Sequence, residues 1–549
     1  MRRDTGFAIR SYEGMGDRRS CTSRKRGLRQ EGFSSKPSSM LRMRSRSHVF
    51  GFVASLLLFP SALSRGAESA GNSVENSVVK IFATVRYPDY FRPWAKLAPM
   101  EVTGSGVVVR GRRILSNAHV VLYASQVQIQ ANQAGDKLNA AVEFVAPDID
   151  LAILKLEDES FFDRHPPLPH ADALPDVRDS VMVYGYPEGG SSLSVTKGIV
   201  SRIEYVPSMF RAGNLLIQID AAINSGNSGG PAVAGDKLIG LASARLDGAD
   251  NIGYIIPTEE IELFLKDTED GRYDGKLGMY DELQTLENPA LRAFLKLPAS
   301  VEGIVVHKPN TAIPNNPLKE WDVITKIGDT PIDNQGEVRF SPKLRVRFPY
   351  LIQRIAKDGK VPLTIFREGR EMQVQMPLST KRPMVIPSLE DRYPSYFVYG
   401  PLVFSEASNE FVSSFRRSDF GYVGPMLALG GSPLYRRIGD APAYEDEALL
   451  IVSSPLFPHR LSTGYSNPVG QTVKSLNGKP IRNLKHLVET LRDCKDEFIA
   501  VEFDIRGFET FVFKHAEMLS ATEDILSDNG IRSQGSPDTM AIWNAKQAM

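Results

Sequence analysis

From Val78 to Pro257 the chain alternates short runs rich in Val, Ile and Leu with turns carrying Gly, Pro and Asp. That pattern predicts many short strands and a pair of all-β barrels. Ser77 to Val85 reads as the entry strand, and Asp148 to Leu156 as an alternating strand with a carboxylate at its mouth. Arg86 to Met100 interrupts the pattern with Tyr87, Tyr90, Phe91 and Trp94 in an irregular stretch. We read it as an aromatic plug for the barrel in preference to a regulatory loop beside the active site. Thr258 to Phe264, rich in Glu and Leu after Pro257, predicts a helix closing this first domain, with Thr258 as its N-cap.

Beyond this helix the pattern changes. Asp322 to Ile332 reads as strand, turn and strand, and Leu351 to Ala356 as a short amphipathic helix. A similar order returns later. Val473 to Ile481 gives strand, turn and strand, and Leu484, Leu487, Val488 and Leu491 follow at the i, i+3, i+4, i+7 spacing of a helix. Phe498 to Phe503 and Thr510 to Phe513 supply closing strands. The two regions read as a diverged repeat rather than an array. The expected organisation is a leader at 1–66, a first domain at 75–267, α+β domains at 271–380 and 385–520, and a C-terminal tail at 521–549. The full length of 549 residues fits that count of domains.

Charge adds a compartment signal. Lys and Arg total 65 and Asp and Glu total 65, a balance that gives no footprint for nucleic acid. Before Ala67, however, there are fourteen Lys or Arg against four Asp or Glu, so a basic start precedes an acidic body. Arg42, Arg44, Arg46 and His48 lead into the apolar run Val49 to Phe59, which ends at Pro60. This run is short of the roughly 20 apolar residues of a membrane span and fits a signal-peptide core, with cleavage near Ala62 and Ser64. The expectation is an exported protein with no stable membrane span after cleavage. An uncleaved N-terminal anchor and an Arg- and Ser-rich organellar transit peptide are the alternatives. Cys21 and Cys494 are the two cysteines, and they neither support nor exclude export.

The chemistry concentrates in Asn224-Ser225-Gly226-Asn227-Ser228-Gly229-Gly230-Pro231. A serine hydroxyl is a weak nucleophile that needs a base and donors for the oxyanion formed on attack. Gly226 and the glycines after Ser228 permit a turn in which the amides of Gly226 and Ser228 converge. Upstream, Gly104-Ser105-Gly106-Val107-Val108-Val109 leads to Ile114-Leu115-Ser116-Asn117-Ala118-His119-Val120-Val121, and Asp150 opens a later strand. A charge at an apolar strand is costly unless paired. Asp150 can orient His119 while His119 takes the Ser228 proton. Singly, His119 could be a core histidine and Asp150 a turn residue; their joint order with Ser228 favours a triad. No metal-ligand spacing and no phosphate-binding loop is present, so the reading predicts no cofactor and no ATP motor.

The segments S-N-A-H-V-V, D-I-D-L-A-I-L and N-S-G-N-S-G-G-P resemble those of the HtrA/Deg serine proteases. Val183 to Pro187, Val195 to Arg202 and Asn251 to Pro257 extend the likeness. The combination of Glu287 to Arg292 with Asn477 to Pro480 and Asn483 to Lys485 looks most like the plant-type Deg subfamily. The resemblance implies a mostly β fold, a chymotrypsin-like double β-barrel followed by two PDZ-like α+β domains, the second divergent. It also implies His119 as general base, Asp150 as its orienting partner and Ser228 as nucleophile. Gly226, Asn227 and Ser228 would form the oxyanion hole, the amide of Asn227 flipping with activation state. In such folds the base of the primary specificity pocket lies six residues before the nucleophile, here Ala222. With Ile223, Leu241, Ala242 and Ser243 it implies a small to medium aliphatic residue before the cut. Leu277, Gly278 and Met279 fall where PDZ domains grip a terminal carboxylate. Trp321 stands where glycine usually precedes Asp322, a departure expected to reshape the turn without breaking the fold.

The expected activity is ATP-independent cleavage of misfolded or damaged proteins. The expected partners are unfolded protein or peptide substrates and further copies of the chain in a trimer or multiple of trimers, to which Tyr87, Tyr90, Phe91 and Trp94 would contribute contacts. The alternative reading is a chaperone or PDZ scaffold with minor proteolytic activity.

Overall fold

The computed structural model describes residues 74–188, 190–208, 211–245, 252–417 and 420–545. The leader expected at 1–66 lies outside the described residues. Among them, no helix is long and apolar enough to cross a membrane.

Twelve strands form two closed barrels. The first contains β1 (Val78–Val85), β2 (Met100–Val109), β3 (Arg113–Ser116), β4 (Ala124–Ala131), β5 (Leu138–Ala146) and β6 (Leu151–Leu156), in the order β1-β2-β3-β6-β5-β4. The second contains β7 (Ser180–Gly185), β8 (Ser194–Val206), β9 (Asn214–Ile219), β10 (Pro231–Ala234), β11 (Lys237–Arg245) and β12 (Gly253–Pro257), in the order β10-β11-β12-β9-β8-β7. Short helices α1 (Ala118–Val121) and α2 (Phe161–Arg164) belong to the first, and α3 (Thr258–Asp267) follows the second. The two-residue period of a strand explains why both faces of several strands are apolar. Val108, Ile114, Ala152 and Leu154 fill the first barrel, while Val107, Val109, Leu115, Leu151 and Ile153 on the same strands face the seam between barrels. Tyr184, Tyr186, Val233, Leu238, Leu241 and Ile256 complete that seam from the second barrel. The seam carries the functional turns.

Helix α3 begins at Thr258 with Pro257, not Thr258, as its N-cap. Its Ile261, Phe264 and Leu265 pack on the seam, and Glu260, one turn behind, is buried. Both carboxylate oxygens of Glu260 accept from Lys276 Nζ at 2.9 and 2.8 Å, and Lys276 also donates to the Gly213 carbonyl at 2.9 Å. The Leu215 amide donates to Glu260 Oε1 at 2.9 Å. Those added bonds are what make a buried ion pair tolerable.

The next region is a sheet of β13 (Glu282–Thr285), β14 (Ile304–Lys308), β15 (Val323–Ile327), β16 (Thr330–Pro331), β19 (Lys360–Arg367) and β20 (Arg370–Pro377), with a hairpin of β17 (Glu337–Ser341) and β18 (Leu344–Arg347). Its apolar residues, among them Ile324, Val338, Phe348, Ile352 and Leu363, join one cluster with those inside the second barrel, so this α+β region and that barrel share a core. The expected helix at Leu351 to Ala356 is a 3₁₀ turn at Phe348–Leu351 running into α4 (Ile352–Ile355). Trp321 takes the left-handed conformation, φ +74°, that glycine adopts without strain, and its amide donates to the Val306 carbonyl at 2.8 Å. The turn is therefore kept.

In the third region, Tyr396–Tyr399, Leu402–Glu406 and Leu450–Val452 form one sheet, and Val473–Leu476, Lys479–Pro480, Phe498–Phe503 and Phe511–Lys514 another. Leu484, Leu487, Val488 and Leu491 form the buried face of the helix Leu484–Asp493. Beyond residue 520, read from sequence as a tail, Ala521, Ile525 and Ile531 are buried and the helix Pro537–Trp543 packs its Trp543 on Phe397.

Of the aromatic stretch after β1, Tyr87 packs against the core of the first barrel, as expected of a plug, but Tyr90, Phe91 and Trp94 pack elsewhere. Phe91 packs on Phe411, Phe415 and Phe420 with ring centroids at 5.5, 5.5 and 4.8 Å, and Trp94 packs on Phe457 at 5.6 Å. The stretch is a clasp between the first barrel and the third region. Rings of this size gain most by burial, and the barrel interior is already filled by Val79, Ile81, Ala83 and Val85.

Candidate active site

Both barrels contribute. The first supplies His119 on α1 and Asp150 just before β6; the second supplies Ser228 in the turn between β9 and β10. His119 Nδ1 lies 2.9 Å from each Asp150 carboxylate oxygen, and the His119 amide donates to Asp150 Oδ1 at 3.0 Å. Asp150 takes the left-handed conformation at φ +55°, a strained one for a residue with a Cβ. Asn117, fully buried, offsets that strain by donating from Nδ2 to the Asp150 carbonyl at 2.9 Å. Loss of water around the ring pushes the His119 pKa down, but the hydrogen bond and charge of Asp150 outweigh it and hold it above the ordinary value.

The turn around Ser228 depends on its glycines. Gly226 has φ +94°, and a Cβ there would lie 2.3 Å from the Tyr186 carbonyl oxygen. Gly229 has φ +84°, and a Cβ there would lie 2.1 Å from the Ser105 carbonyl oxygen. The Ser225 carbonyl accepts from the Glu188 amide at 2.8 Å, and the Asn227 carbonyl from the Gly230 amide at 2.9 Å. In a trans peptide the N–H points opposite to the C=O, so the amides of Gly226 and Ser228 turn away from those anchors. Neither donates to an acceptor among the described residues. The Asn227 amide, expected to serve the oxyanion hole, donates instead to the Asn224 carbonyl at 2.9 Å. Asn227 Oδ1 is buried without a hydrogen-bond partner among the described residues.

Ser243 has a second set of contacts that its sequence motif does not reveal. Expected in the substrate pocket, it donates from Oγ to Asp150 Oδ2 at 2.7 Å, while its carbonyl accepts from Ser228 Oγ at 3.1 Å. The register of β11 against β12 shifts between Ala242 and Ala244, and that bulge turns Ser243 toward the seam. In this resting arrangement Ser228 is bonded to Ser243 and not to His119. Leu241 and Ala242, also expected in the pocket, are fully buried, Leu241 in the seam between barrels. Ile223 is buried and packs where a Cβ on Gly253 would meet it. Ala222 is exposed, and its carbonyl accepts from Thr196 Oγ1 at 3.0 Å.

The loop expected to grip a carboxylate is already engaged. The Gly278 amide donates to the Ser379 carbonyl at 2.8 Å, and the Ser379 amide returns a bond to the Gly278 carbonyl at 3.2 Å. Gln353 Nε2 donates to the Leu277 carbonyl, and Leu277 and Met279 pack on the shared core. A terminal carboxylate would have to displace Ser379 to reach Gly278. On the far side of α4, Glu259 of α3 receives the Tyr350 hydroxyl and, at 2.6 Å, Arg354.

A chymotrypsin-like double barrel bearing a His–Asp pair and a serine in a glycine turn across the seam defines a trypsin-like serine endopeptidase. Comparison with known proteins agrees: residues 104–241 match the trypsin-like peptidase domain and residues 385–538 the PDZ domain. Three Arabidopsis thaliana relatives cover most of both chains. Putative protease Do-like 3, mitochondrial, is 34% identical over 84% of this chain and 80% of its own length. Protease Do-like 2, chloroplastic, is 36% identical over 85% and 75%, and Protease Do-like 4, mitochondrial, 33% over 87% and 88%. The chain belongs to the plant-type Deg branch of the HtrA serine protease family.

Proposed function

We propose that this protease cuts unfolded or damaged polypeptides without ATP, with Ser228 as nucleophile, His119 as general base and Asp150 as the carboxylate that orients His119 and stabilises its positive charge. The observation that carries this reading is the paired approach of His119 Nδ1 to both Asp150 oxygens, opposite a turn whose Gly226 and Ser228 amides have no internal acceptor among the described residues. When substrate enters, Ser228 Oγ exchanges the Ser243 carbonyl for His119 Nε2 and attacks the scissile carbonyl. Its proton passes to His119, the new oxyanion accepts from Gly226 and Ser228, and His119 then protonates the leaving amine. Water repeats the sequence to release the acyl group. Preorganised donors of this kind supply the largest single share of rate enhancement in such sites.

Ala222 at the exposed base of the pocket carries no charge for a Lys or Arg, so the preferred residue before the cut is small to medium and aliphatic. The expected partners include further copies of the chain. Tyr87, Tyr90, Phe91 and Trp94 are occupied within the chain, so assembly uses other surfaces. The Arg- and Ser-rich leader, with relatives named for mitochondria and chloroplasts, favours an organellar address over export. Two experiments test the reading: degradation of unfolded casein with and without ATP by wild type and Ser228→Ala, and N-terminal sequencing of the native protein. ATP-independent loss of casein that Ser228→Ala abolishes supports it; casein persisting with folded wild type contradicts it.

A further inference from the structure

Ser105 is a fully buried polar residue on β2, in the first barrel, yet it bonds mainly across the seam. Its hydroxyl donates to the Gly226 carbonyl at 2.7 Å and accepts from the Tyr186 amide at 2.9 Å. Its own amide donates to the Ser228 carbonyl at 2.9 Å, and its carbonyl accepts from Ser116 Oγ at 2.8 Å. One residue thus grips the carbonyls of Gly226 and Ser228, one on each side of the peptide that joins Asn227 to Ser228.

We propose that Ser105 is a positioning residue for the oxyanion hole, holding the Gly226 and Ser228 carbonyls so that the neighbouring N–H groups face the reacting oxygen. The proposal rests on the assignment of Ser228 as nucleophile. Glycine at 226 costs the turn little in any of several conformations, so something outside the turn must select one. The Glu188 amide fixes the peptide before Gly226, and the Ser105 hydroxyl fixes the peptide after it. The peptide between Asn227 and Ser228, its carbonyl held by the Gly230 amide at 2.9 Å, is thus flanked by two peptides that Ser105 ties to the first barrel. The site is built for a hydroxyl of this size. A Cβ at Gly185 would come within 3.1 Å of Ser105 Oγ, and an alanine at 105 would strand both the Gly226 carbonyl and the Tyr186 amide. Because the two barrels meet at this residue, a shift between them reaches the oxyanion donors directly.

The test compares Ser105→Ala and Ser105→Cys with Ser116→Ala in the full chain. Ser116→Ala also removes one buried hydrogen bond from Ser105 but leaves its grip on Gly226 and Ser228. Hydrolysis of an aliphatic peptide substrate is measured with affinity for the matching peptidyl boronate, whose tetrahedral adduct places an oxygen in the hole. Ser105→Ala should lower kcat by about 10- to 100-fold with KM within threefold, and weaken boronate binding by a similar factor. Ser105→Cys, a weaker donor of similar shape, should fall between. Ser116→Ala should lower thermal stability comparably to Ser105→Ala and change kcat less than threefold. Equal kcat losses in Ser105→Ala and Ser116→Ala would overturn the proposal, as would a folded Ser105→Ala or Ser105→Cys with wild-type kcat and boronate affinity. Activity surviving in Ser228→Ala would instead overturn the nucleophile assignment.

Discussion

Ser243 and Asp150, 93 residues apart in sequence, are joined by a 2.7 Å hydrogen bond from the serine hydroxyl to Asp150 Oδ2. The same serine holds the resting Ser228 hydroxyl through its carbonyl at 3.1 Å. It therefore orients the carboxylate by one group and parks the nucleophile by the other. Ser243→Ala keeps the carbonyl and removes the carboxylate contact. A hydrogen bond to a charged group contributes about 1.5–3 kcal/mol, so kcat/KM should fall by roughly tenfold or more. Steady-state kinetics with a peptide substrate checks this, with circular dichroism to verify the fold.

His119 acts as base only when neutral, and its pKa is held above the ordinary value of about 6.5. The acid limb of the kcat/KM profile should therefore lie above that pH. The stability that Asp150 gives through protonated His119 should be complete below about pH 6.5 and lost as pH rises through the raised folded pKa. Asp150→Asn removes the charge that raises it and replaces the carboxylate bond with a neutral amide that can hold the wrong tautomer. The acid limb should move down, the stability difference should vanish, and kcat should drop by about 10⁴. A pH profile of activity and thermal unfolding for both proteins reads all three.

Tyr273, between the closing helix and the α+β region that follows it, donates its hydroxyl to both oxygens of Asp148 at 2.8 and 2.7 Å. Burial first, then the charge of Asp148, raise the pKa of this phenol, so it stays protonated as donor. Asp148 lies two residues before Asp150. Tyr273→Phe should destabilise the protein by about 1–3 kcal/mol and lower kcat through the loosened Asp150 turn. Denaturant unfolding and kinetics of the same preparation measure both effects.

The Lys276 and Glu260 side chains are 8% and 4% exposed. Lys276→Met leaves a buried carboxylate without its cation and should cost about 3–5 kcal/mol. Adding Glu260→Gln should recover part of the loss. Urea titrations of the wild type and the two variants decide it.

The three residues proposed for catalysis are legible as candidates because each sits in a local motif: His119 after β3, Asp150 before β6, Ser228 among glycines. The barrels follow from short apolar runs separated by Gly, Pro and Asp turns. What was not legible depended on which distant surface covers a residue. Phe91 and Trp94 are apolar and irregular wherever they pack, and their partners lie more than 300 residues away at Phe411, Phe415 and Phe457. Leu241 and Ala242 sit on the expected strand, but the bulge at Ser243 decides which side chains meet the seam. Gly278 has the composition of a carboxylate loop, and only its pairing with Ser379 reveals that its amide is taken. Ser105 stands in Gly104 to Val109, where the one clue to its contacts is a hydroxyl inside an otherwise apolar run.

The most direct test is labelling by a fluorophosphonate probe, followed by mass mapping of the modified peptide, on the folded wild type and on Ser228→Ala and His119→Ala. A single adduct on Ser228, absent from Ser228→Ala and strongly slowed in His119→Ala, is the predicted result. No adduct on folded wild type supplied with unfolded casein, or an adduct on another serine that persists in Ser228→Ala, would contradict the assignment of this site.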